Sequence, residues 1–564
     1  MAEKDTHAES TRQELKQEGA EQEGAKQRGT QQQRAEQEGT QQRPKQQAQA
    51  EATPQPGATK ATIQSPGTYP PGEDPRRWKV LGVILTTIFM SLISVSIINV
   101  ALPSIQQGLG ATESDIQWVL AGYTLTFGVV LVAAGRAGDL LGRGGMYLIG
   151  LGIYTISAIA AGFAPTAEAL NVTRFIQGIG AGLLNPQGVG MIQQYFRGKE
   201  RGRAFGWFGT VVGVAVAIGP TLGGFLIRLG GPEHGWRWTF LVNVPFGLLA
   251  FALALLWFPR PLLGRVKDPV TGRNVGVVRA IRSLDPMGSL LLGLTVLAFL
   301  YPFVEHTGSA RNYLLLPVAA LLLAAWLAWE RHVKTTKPFE PMVDMQIFRF
   351  PSFRLGTMLA GVYFMGITSI WVLVALFFQN GLGHSALVAG SVGIPAAISS
   401  SFSANWAGKR VGDRGRTVVI QGITVALTGI ALTILALVLH HTAGISEWWM
   451  VLTLFLVGTG QGAVIGPNQT LTLADVPLNY AGSSGAVLQT AQRIGTAVGL
   501  AFITAIVFAS ASAINWTLGT AIGFVTIGAL MGIGLLIALY DNRTRARQAE
   551  QRFFFGRPSR RGCC

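Results

Sequence analysis

The chain has 564 residues, of which 49% are hydrophobic and only 13% are charged; soluble domains carry about 25% charged residues, so the composition excludes an ordinary soluble protein. The formal net charge of +16 does not indicate nucleic-acid binding, because the basic residues lie in short segments between apolar runs. The only cysteines, Cys563 and Cys564, stand at the end of the sequence, so no disulfide framework is predicted.

Residues 1–75 contain almost no large apolar side chains and are dominated by Gln, Glu, Lys, Ala and Gly. A short repeat, QEGA, QEGA, QRGT and QEGT, begins at positions 17, 22, 27 and 37. Such a segment cannot bury enough apolar surface to offset the entropy lost on ordering it. We predict a disordered cytoplasmic tail over 1–75 and a second, basic cytoplasmic tail over 542–564.

Long apolar runs recur from residue 80 onward. A helix needs roughly 20 apolar residues to cross the ~30 Å hydrocarbon core of a bilayer. These runs predict an all-α membrane protein with fourteen transmembrane helices. The predicted spans are 80–103, 116–134, 146–164, 170–195, 205–228, 239–258, 286–303, 313–330, 354–379, 386–407, 417–439, 448–471, 481–509 and 517–540.

The loops between these spans alternate in their content of Lys and Arg. Arg136 and Arg143 follow span two, and Arg414 and Arg416 follow span ten, whereas the intervening loops contain few basic residues. Basic loops face the cytoplasm, which places both termini there and requires an even number of spans. We therefore expect a multi-pass protein of the cell membrane (plasma or inner), in contact with the lipid bilayer.

The loop between spans two and three reads GRAGDLLGR, from Gly135 to Arg143. Its glycines allow a tight turn, and Asp139 could accept backbone N–H groups at a helix end or pair with an arginine. A degenerate copy, GKRVGDRGR at 408–416, keeps the Gly-Arg pair at the same offset from its first glycine. A matched pair of turns at equivalent loops indicates two duplicated halves, which is typical of transporters.

Spans four and five carry unusual residues for membrane helices. Arg174 lies inside span four, where a charge costs a few kcal/mol unless it faces a cavity or a partner. Span five contains two pairs of small residues that let another helix approach closely, and a proline that removes a helix hydrogen bond. These residues are Gly209 with Gly213, Gly219 with Gly223, and Pro220.

Taken in order, several motifs resemble the major facilitator superfamily, in particular its fourteen-helix drug:proton antiporter branch. The motifs are INVALPSI, QWVLAGYTL, GRAGDLLGR, RFIQGIGAGL, GPTLGG, WRWTFLVNVPFG and GTGQGAVIGPNQ. The resemblance implies a six-helix bundle over 76–260, two extra helices with connecting loops over 261–350, and a second six-helix bundle over 351–541. It also implies alternating access and export of hydrophobic compounds against proton entry.

The resemblance assigns roles to individual residues. The gating turn and the span-five exporter motif correspond to Gly135, Arg136, Asp139, Gly142, Arg143, Gly219, Pro220, Gly223 and Gly224. Arg174 corresponds to an arginine associated with proton coupling. Two positions depart from the family pattern, because Ser94 stands where related exporters carry an aspartate, and Gln492-Arg493 replaces the usual Arg-Gln order.

No Asp or Glu falls in the centre of a predicted span, so the deep ionisable groups are the cations Arg174 and Arg493. A buried cationic drug normally needs a carboxylate to compensate its charge. We therefore expect a neutral or anionic small-molecule substrate, bound by aromatic, amide and hydroxyl groups. Candidate lining residues are Ser94, Asn99, Tyr123, Phe127, Gln177, Trp371, Gln379, Gln461, Asn468, Gln489 and Arg493.

Because no acid lies in the centre of a predicted span, the sequence does not single out one residue that would couple transport to protons. The candidates for proton coupling are Arg174, Asp139 and Arg493, with Asp139 or a peripheral acid as the carrier; a weakly coupled facilitator is the alternative. A metabolite or peptide permease of the same fold is a further alternative to the exporter. The scattered histidines form no metal spacing or nucleophile–base pair, so we expect no enzyme activity, no cofactor and no metal, and a monomer without nucleic-acid partners.

Overall fold

The computed structural model describes residues 76–264, 284–304, 310–336 and 341–555, and these form helices without any β-strand. The tail predicted over 1–75 and the last residues of the basic tail lie outside the described residues. The α-helices in chain order are α1 Arg77–Leu109, α2 Glu113–Leu141, α3 Arg143–Gly162, α4 Ala167–Tyr195, α5 Gly198–Leu241, α6 Asn243–Trp257, α7 Pro286–Val304, α8 Leu315–Thr336, α9 Pro351–Leu376, α10 Ala386–Ser391, α11 Ile394–Arg414, α12 Arg416–Ala443, α13 Trp449–Thr472, α14 Ala481–Ala513 and α15 Trp516–Phe555.

Thirteen helices within the described ranges are long and apolar enough to cross a membrane. Span four is not among them, because α4 is a helix rich in Gly, Asn and Gln whose polar side chains pack inside the protein. The all-α membrane architecture is confirmed, while the count of fourteen spans stays a prediction.

Two breaks between helices lie at other positions than predicted. The fifth and sixth spans are separated by Gly231, whose φ of 77° interrupts the helical conformation within α5. The sixth crossing therefore begins at Glu233 and not near residue 239. The tenth predicted span is divided into α10 and α11, with Pro395 in the first turn of α11. Proline at the start of a helix costs little, because the N–H group it lacks has no partner there.

The helix packing repeats between the two halves. In the first half α1 packs on α5, and α4 packs on α2 and α3; in the second half α9 packs on α14, and α13 packs on α11 and α12. The halves meet where α5 packs on α11 and where α2 packs on α14. This is the pattern expected of a duplicated unit, while the domain boundaries themselves stay a prediction.

The halves contact each other closely at one end of the molecule, which we call the Asp139 end. The largest apolar cluster contains Phe205 from the first half and Phe353 and Leu488 from the second. The opposite end of the first half has its own cluster around Trp236 and Phe240. The extra helix α7 lies against both α2 and α14.

Candidate functional site

Asp139, near the end of α2, caps the first turn of α14 across the boundary between the halves. Its Oδ1 accepts the backbone N–H of Gly482 at 2.9 Å, and its Oδ2 accepts the N–H of Ser483 at 2.9 Å and the hydroxyl at 3.2 Å. First-turn N–H groups have no partner within their helix and carry partial positive charge. The buried carboxylate therefore stabilises both the start of α14 and the contact between the halves.

Arg143, the first residue of α3, contacts Asp139 from the other side. Its Nε and Nη2 donate to Asp139 Oδ1 at 3.2 and 2.8 Å. Nη1 donates to Gln194 Oε1 at 2.8 Å and to the Gly190 carbonyl at 3.3 Å, and Nη2 donates to the Leu478 carbonyl at 2.9 Å. Arg143 thereby connects the turn between α2 and α3 to α4 and to the segment before α14.

Glycines make this approach possible. A Cβ atom on Gly135 would lie 2.7 Å from the carbonyl oxygen of Gly482, so any larger residue would push the halves apart. Gly142 joins α2 to α3 with a φ of 104°, a conformation that favours glycine. Arg136 is buried beside this turn. The structure thus assembles the residues predicted to form the gating turn at one contact.

The equivalent turn of the second half makes a different contact. Gly415 joins α11 to α12 with a φ of 53°, and the buried Arg416 donates to Asp541 and to Asn468 Oδ1. Asn468 Nδ2 donates to the Gly356 carbonyl at 3.1 Å. All these partners belong to the second half. Asn468, predicted to line the substrate site, therefore lies in a network that connects helices near the Asp139 end.

Two glycines of α5 pack against α1 within the first half. A Cβ atom on Gly219 would overlap the hydroxyl of Ser96, and one on Gly223 would lie 2.8 Å from Ile97 Cγ1. The Ser96 hydroxyl also donates to the carbonyl of Ala215 at 3.2 Å. These polar and small residues therefore serve helix packing in this part of the membrane domain.

The remaining members of the span-five motif face the other half. A Cβ atom added to Gly390 would lie 3.0 Å from Pro220 Cβ, and one added to Gly224 would lie 3.6 Å from Leu387 Cδ1. Both contacts are with α10. The four motif residues thus divide between a contact inside the first half and a contact that crosses to the second.

The polar groups predicted in α1 have separate surroundings. The Ser91 hydroxyl lies 3.1 Å from that of Tyr123. Ser94 is buried beside Tyr154, and neither hydroxyl makes a well-formed hydrogen bond among the described residues. The side chain of Asn99 lies outside the described residues. Ser94, at the position of the family's aspartate, is therefore a neutral group next to another neutral group.

Arg174 is buried in α4, with 1% of its surface exposed. Its Nε donates to the Val119 carbonyl at 2.9 Å and Nη1 donates to Gln177 Oε1 at 2.7 Å. Its guanidinium carbon lies 4.4 Å from the ring centroid of Tyr123 and 5.9 Å from that of Phe240. Neutral groups and aromatic faces thus surround this cation, and no carboxylate contacts it among the described residues.

Tyr123 and Phe127 form a stack that continues from Arg174 to the second half. Their ring centroids are 6.1 Å apart and the ring planes differ by 11°. The guanidinium carbon of Arg493, on α14, lies 4.4 Å from the ring centroid of Phe127. Arg493 is half-buried, and it makes no hydrogen bond or ion pair with the residues that the structure describes. We call these four residues the Arg–aromatic stack.

The other predicted lining residues are dispersed. Gln177 and Gln489 are buried, and the Nε2 atom of each has no hydrogen-bond acceptor in the described part of the chain. Gln461 is half-buried on α13, and Trp371 packs on the apolar core of the second half. Gln379 is exposed just beyond α9 and donates to its own helix. The structure therefore brings together the stack and Gln177, but not the whole predicted set.

A pair of acids in the extra helices was missed from the sequence. Predicted span eight ended at residue 330, so Glu330 counted as a terminal residue, whereas α8 continues to Thr336. Glu330 and Asp285, the residue before α7, are neighbours and each is 1% exposed. The signal available in the sequence is the unbroken helical pattern of WLAWERHVK across the assumed boundary.

Within the described ranges, no group of three or more His, Cys, Asp or Glu side chains is placed to hold a metal ion. The candidate site is therefore a set of cations, aromatic rings and amides inside a helical bundle, and a hydrogen-bonded contact closes the Asp139 end. Such an arrangement can bind and enclose a solute, and it offers two halves that can move relative to each other.

Comparison with known proteins agrees with this architecture. Residues 84–500 match the family model described as the Major Facilitator Superfamily. The probable actinorhodin transporter of Streptomyces coelicolor is 32% identical over 438 residues, which are 77% of this chain and 73% of that protein. The puromycin resistance protein pur8 of Streptomyces alboniger is 30% identical over 473 residues, covering 83% and 89%.

A solved structure shares the fold at low sequence identity. The human organic anion transporter MFSD10 superposes with a TM-score of 0.58 and 13% identity, over 82% of this chain and 100% of that one. The family match and the bacterial relatives span most of the sequence. The chain is therefore an integral membrane transporter that belongs to the Major Facilitator Superfamily.

Proposed function

We propose that this transporter exports hydrophobic, drug-like compounds that are neutral or anionic. The Arg–aromatic stack is the observation that carries this proposal. It places two cations, Arg174 and Arg493, at the ends of two aromatic rings, where no carboxylate contacts them among the described residues. Two of the relatives, the probable actinorhodin transporter and the puromycin resistance protein pur8, support a natural product or antibiotic as cargo.

Electrostatics favour this class of cargo. A guanidinium offers only hydrogen-bond donors, and the donors of Arg493 lack acceptors among the described residues. A buried lipophilic cation would add a third positive charge without a counter-charge, which is costly in a low-dielectric site. An anion, or a neutral compound rich in carbonyl oxygens, would instead supply the missing acceptors, and a planar ring would pack on Phe127.

The closed contact at the Asp139 end supports alternating access. The loops at this end carry most of the Lys and Arg, so we assign it to the cytoplasm. The conformation described is then closed toward the cytoplasm, and separation of Asp139 from α14 would open a path for loading. Export follows when loading occurs from that side and release occurs on the other.

Drug resistance tests the proposal. The full chain is expressed in a host that lacks its own exporters, and growth is measured with anionic fusidic acid, neutral chloramphenicol and cationic tetraphenylphosphonium. We expect protection against one or both of the first two and little against the cation. The matched control is Gly135→Trp, which should be expressed in the membrane but give no protection, because the halves cannot close. Selective protection against tetraphenylphosphonium would overturn the proposal.

A further inference from the structure

The two extra helices bury a pair of carboxylates. Asp285 immediately precedes α7 and Glu330 lies in the last third of α8. Each is 1% exposed, and the two influence each other electrostatically. Neither belongs to the gating turn or to the Arg–aromatic stack, so their burial requires a separate explanation.

Hydrogen bonds satisfy this pair only in part. Asp285 Oδ1 accepts the Gly288 N–H at 3.0 Å and the Trp329 indole N–H at 2.9 Å, whereas Oδ2 has no partner among the described residues. Both oxygens of Glu330 and the indole nitrogen of Trp326 also lack a well-formed hydrogen bond there. Glu330 is thus a fully buried carboxyl group that the indole N–H of Trp326 and the backbone N–H groups of Met342 and Val343 approach without forming well-aligned hydrogen bonds.

No cation balances the pair within the described part of the chain. On one side α8 packs against α7, and the acid at the start of α7 is Asp285 itself. On the second side the segment around Met342 and Val343 approaches Glu330 with its backbone and continues to Asp344. Lys334, one turn beyond Glu330 on α8, is already bound to Asp344 at 2.6 Å. Two neighbouring carboxylates in such surroundings lose the solvation of water and repel each other, so it is costly to bury both as charges.

We propose that Glu330, paired with Asp285, is the proton-carrying group that couples this transporter to a proton gradient. The inference rests on the proposed function. It assigns proton transfer to an acid outside the first helix, where Ser94 replaces the aspartate of related exporters. In each cycle the Glu330 carboxylate takes up one proton, becoming a neutral carboxyl group, and then releases that proton at the Asp139 end. Asp139 is less suited to this role, because donors already occupy its acceptor positions.

A series of contacts begins at Lys334, one turn beyond Glu330 on α8, and reaches the gating turn. Lys334 and the hydroxyl of Tyr480 both contact Asp344, the latter at 3.1 Å. Tyr480 precedes the first turn of α14, and its carbonyl accepts the hydroxyl of Ser483 at 3.2 Å. Ser483 in turn binds Asp139. A change of charge or position at Glu330 therefore acts on the helix end whose contact closes the molecule.

The test uses Glu330→Gln, because glutamine imitates the protonated acid and should fold. Carboxylic C=O absorption of the full chain in lipid nanodiscs is compared between acidic and alkaline buffer by infrared difference spectroscopy. Inverted vesicles then report uptake of fusidic acid driven by a pH gradient, and exchange of labelled for unlabelled fusidic acid without a gradient. Glu168→Gln, a change at an exposed acid at the other end of the molecule, is the matched control.

We expect Glu330→Gln to remove one titrating C=O band and to lower gradient-driven uptake at least about tenfold, as removal of a proton-transferring side chain does, while exchange continues. An unchanged band and unchanged gradient-driven uptake would overturn the inference, since Glu330 would then hold its proton permanently. If fusidic acid is not transported at all, the proposed cargo fails, and the infrared band alone still shows whether Glu330 exchanges a proton.

Discussion

Arg174 and Arg493 face opposite ends of one aromatic stack, each with its guanidinium carbon 4.4 Å from a ring centroid. The first arginine has hydrogen-bond partners within its own half. The second comes from α14 of the other half, and its guanidinium lies over the ring of Phe127. The two cations therefore differ in role, with Arg174 held in place and Arg493 free to move with the second half.

Replacement of Arg493 should alter cargo selection by charge. We expect Arg493→Gln to raise the KM for fusidic acid roughly tenfold, because a charge-assisted hydrogen bond contributes about 1.5–3 kcal/mol, and to change the KM for chloramphenicol much less. Arg493→Lys retains the charge and should lie between. Uptake into inverted vesicles measures these values. An equal loss for both compounds would assign Arg493 a packing role only.

Loss of the Asp139 charge should open the Asp139 end. Asn keeps one acceptor but not the charge that binds Arg143 and the first turn of α14. With Cys563 and Cys564 replaced by serine, a reporter cysteine at the buried Ser484 should react with a membrane-impermeant maleimide at least about tenfold faster in Asp139→Asn, given the cost of breaking a buried charged pair. Glu168→Gln should leave the labelling rate unchanged, and no difference between the variants would contradict a gating role.

A larger residue at Gly219, one of the two glycines of α5 that pack on α1, should lower thermal stability without changing the exposure of the Asp139 end. Gly219→Ala places a Cβ atom onto Ser96, and overpacking of this kind costs typically ~1–3 kcal/mol. We expect a lower Tm in nanodiscs with unchanged labelling at Ser484→Cys. The second change Ser96→Gly removes the overlap and should restore most of the lost Tm. Failure of this rescue would place the defect elsewhere.

Asp344 should make a pH-dependent contribution to stability. Burial by itself raises the pKa of this carboxyl, but Lys334, the Gln346 N–H and the Tyr480 hydroxyl together hold the pKa below its ordinary value. A lowered pKa means that the stabilisation is complete above the unfolded value near pH 4 and is lost as the pH falls through the folded value. Asp344→Asn should therefore lower Tm at neutral pH, by about 1–2 kcal/mol in stability.

The same substitution should matter little in acid. As the pH falls below about 4, the wild-type carboxyl becomes protonated, and the Tm difference from Asp344→Asn should shrink. Thermal unfolding of the purified protein across this range is the measurement. A difference that stays constant with pH would show that packing, and not charge, accounts for the effect.

Local patterns predicted most of the helices and the kind of hydrogen-bond partner that Asp139 has, while the gating role of its turn stays a prediction. Apolar length alone defined most spans, and a carboxylate between glycines and arginines in a turn led directly to the expected contacts of Asp139. What failed depended on distant residues or on helix ends. Asn468 is held by Arg416, which lies more than fifty positions earlier in the sequence. Glu330 was taken as the end of predicted span eight because it is charged, whereas the helix continues to Thr336. The hydrophobicity of α4 is low because its surroundings are protein, which composition cannot reveal.

The capping of α14 by Asp139 makes opening of the Asp139 end detectable at two backbone amides. The acceptor for two backbone amides of one helix is supplied by the other half of the protein, so these amides lose it whenever the halves separate. The first turn, which contains Gly482 and Gly485, has little intrinsic tendency to remain helical without a cap. Each opening should therefore unwind about one turn of helix, and the hydrogen-exchange rate of the Gly482 and Ser483 amides would count the openings directly, without any transported compound.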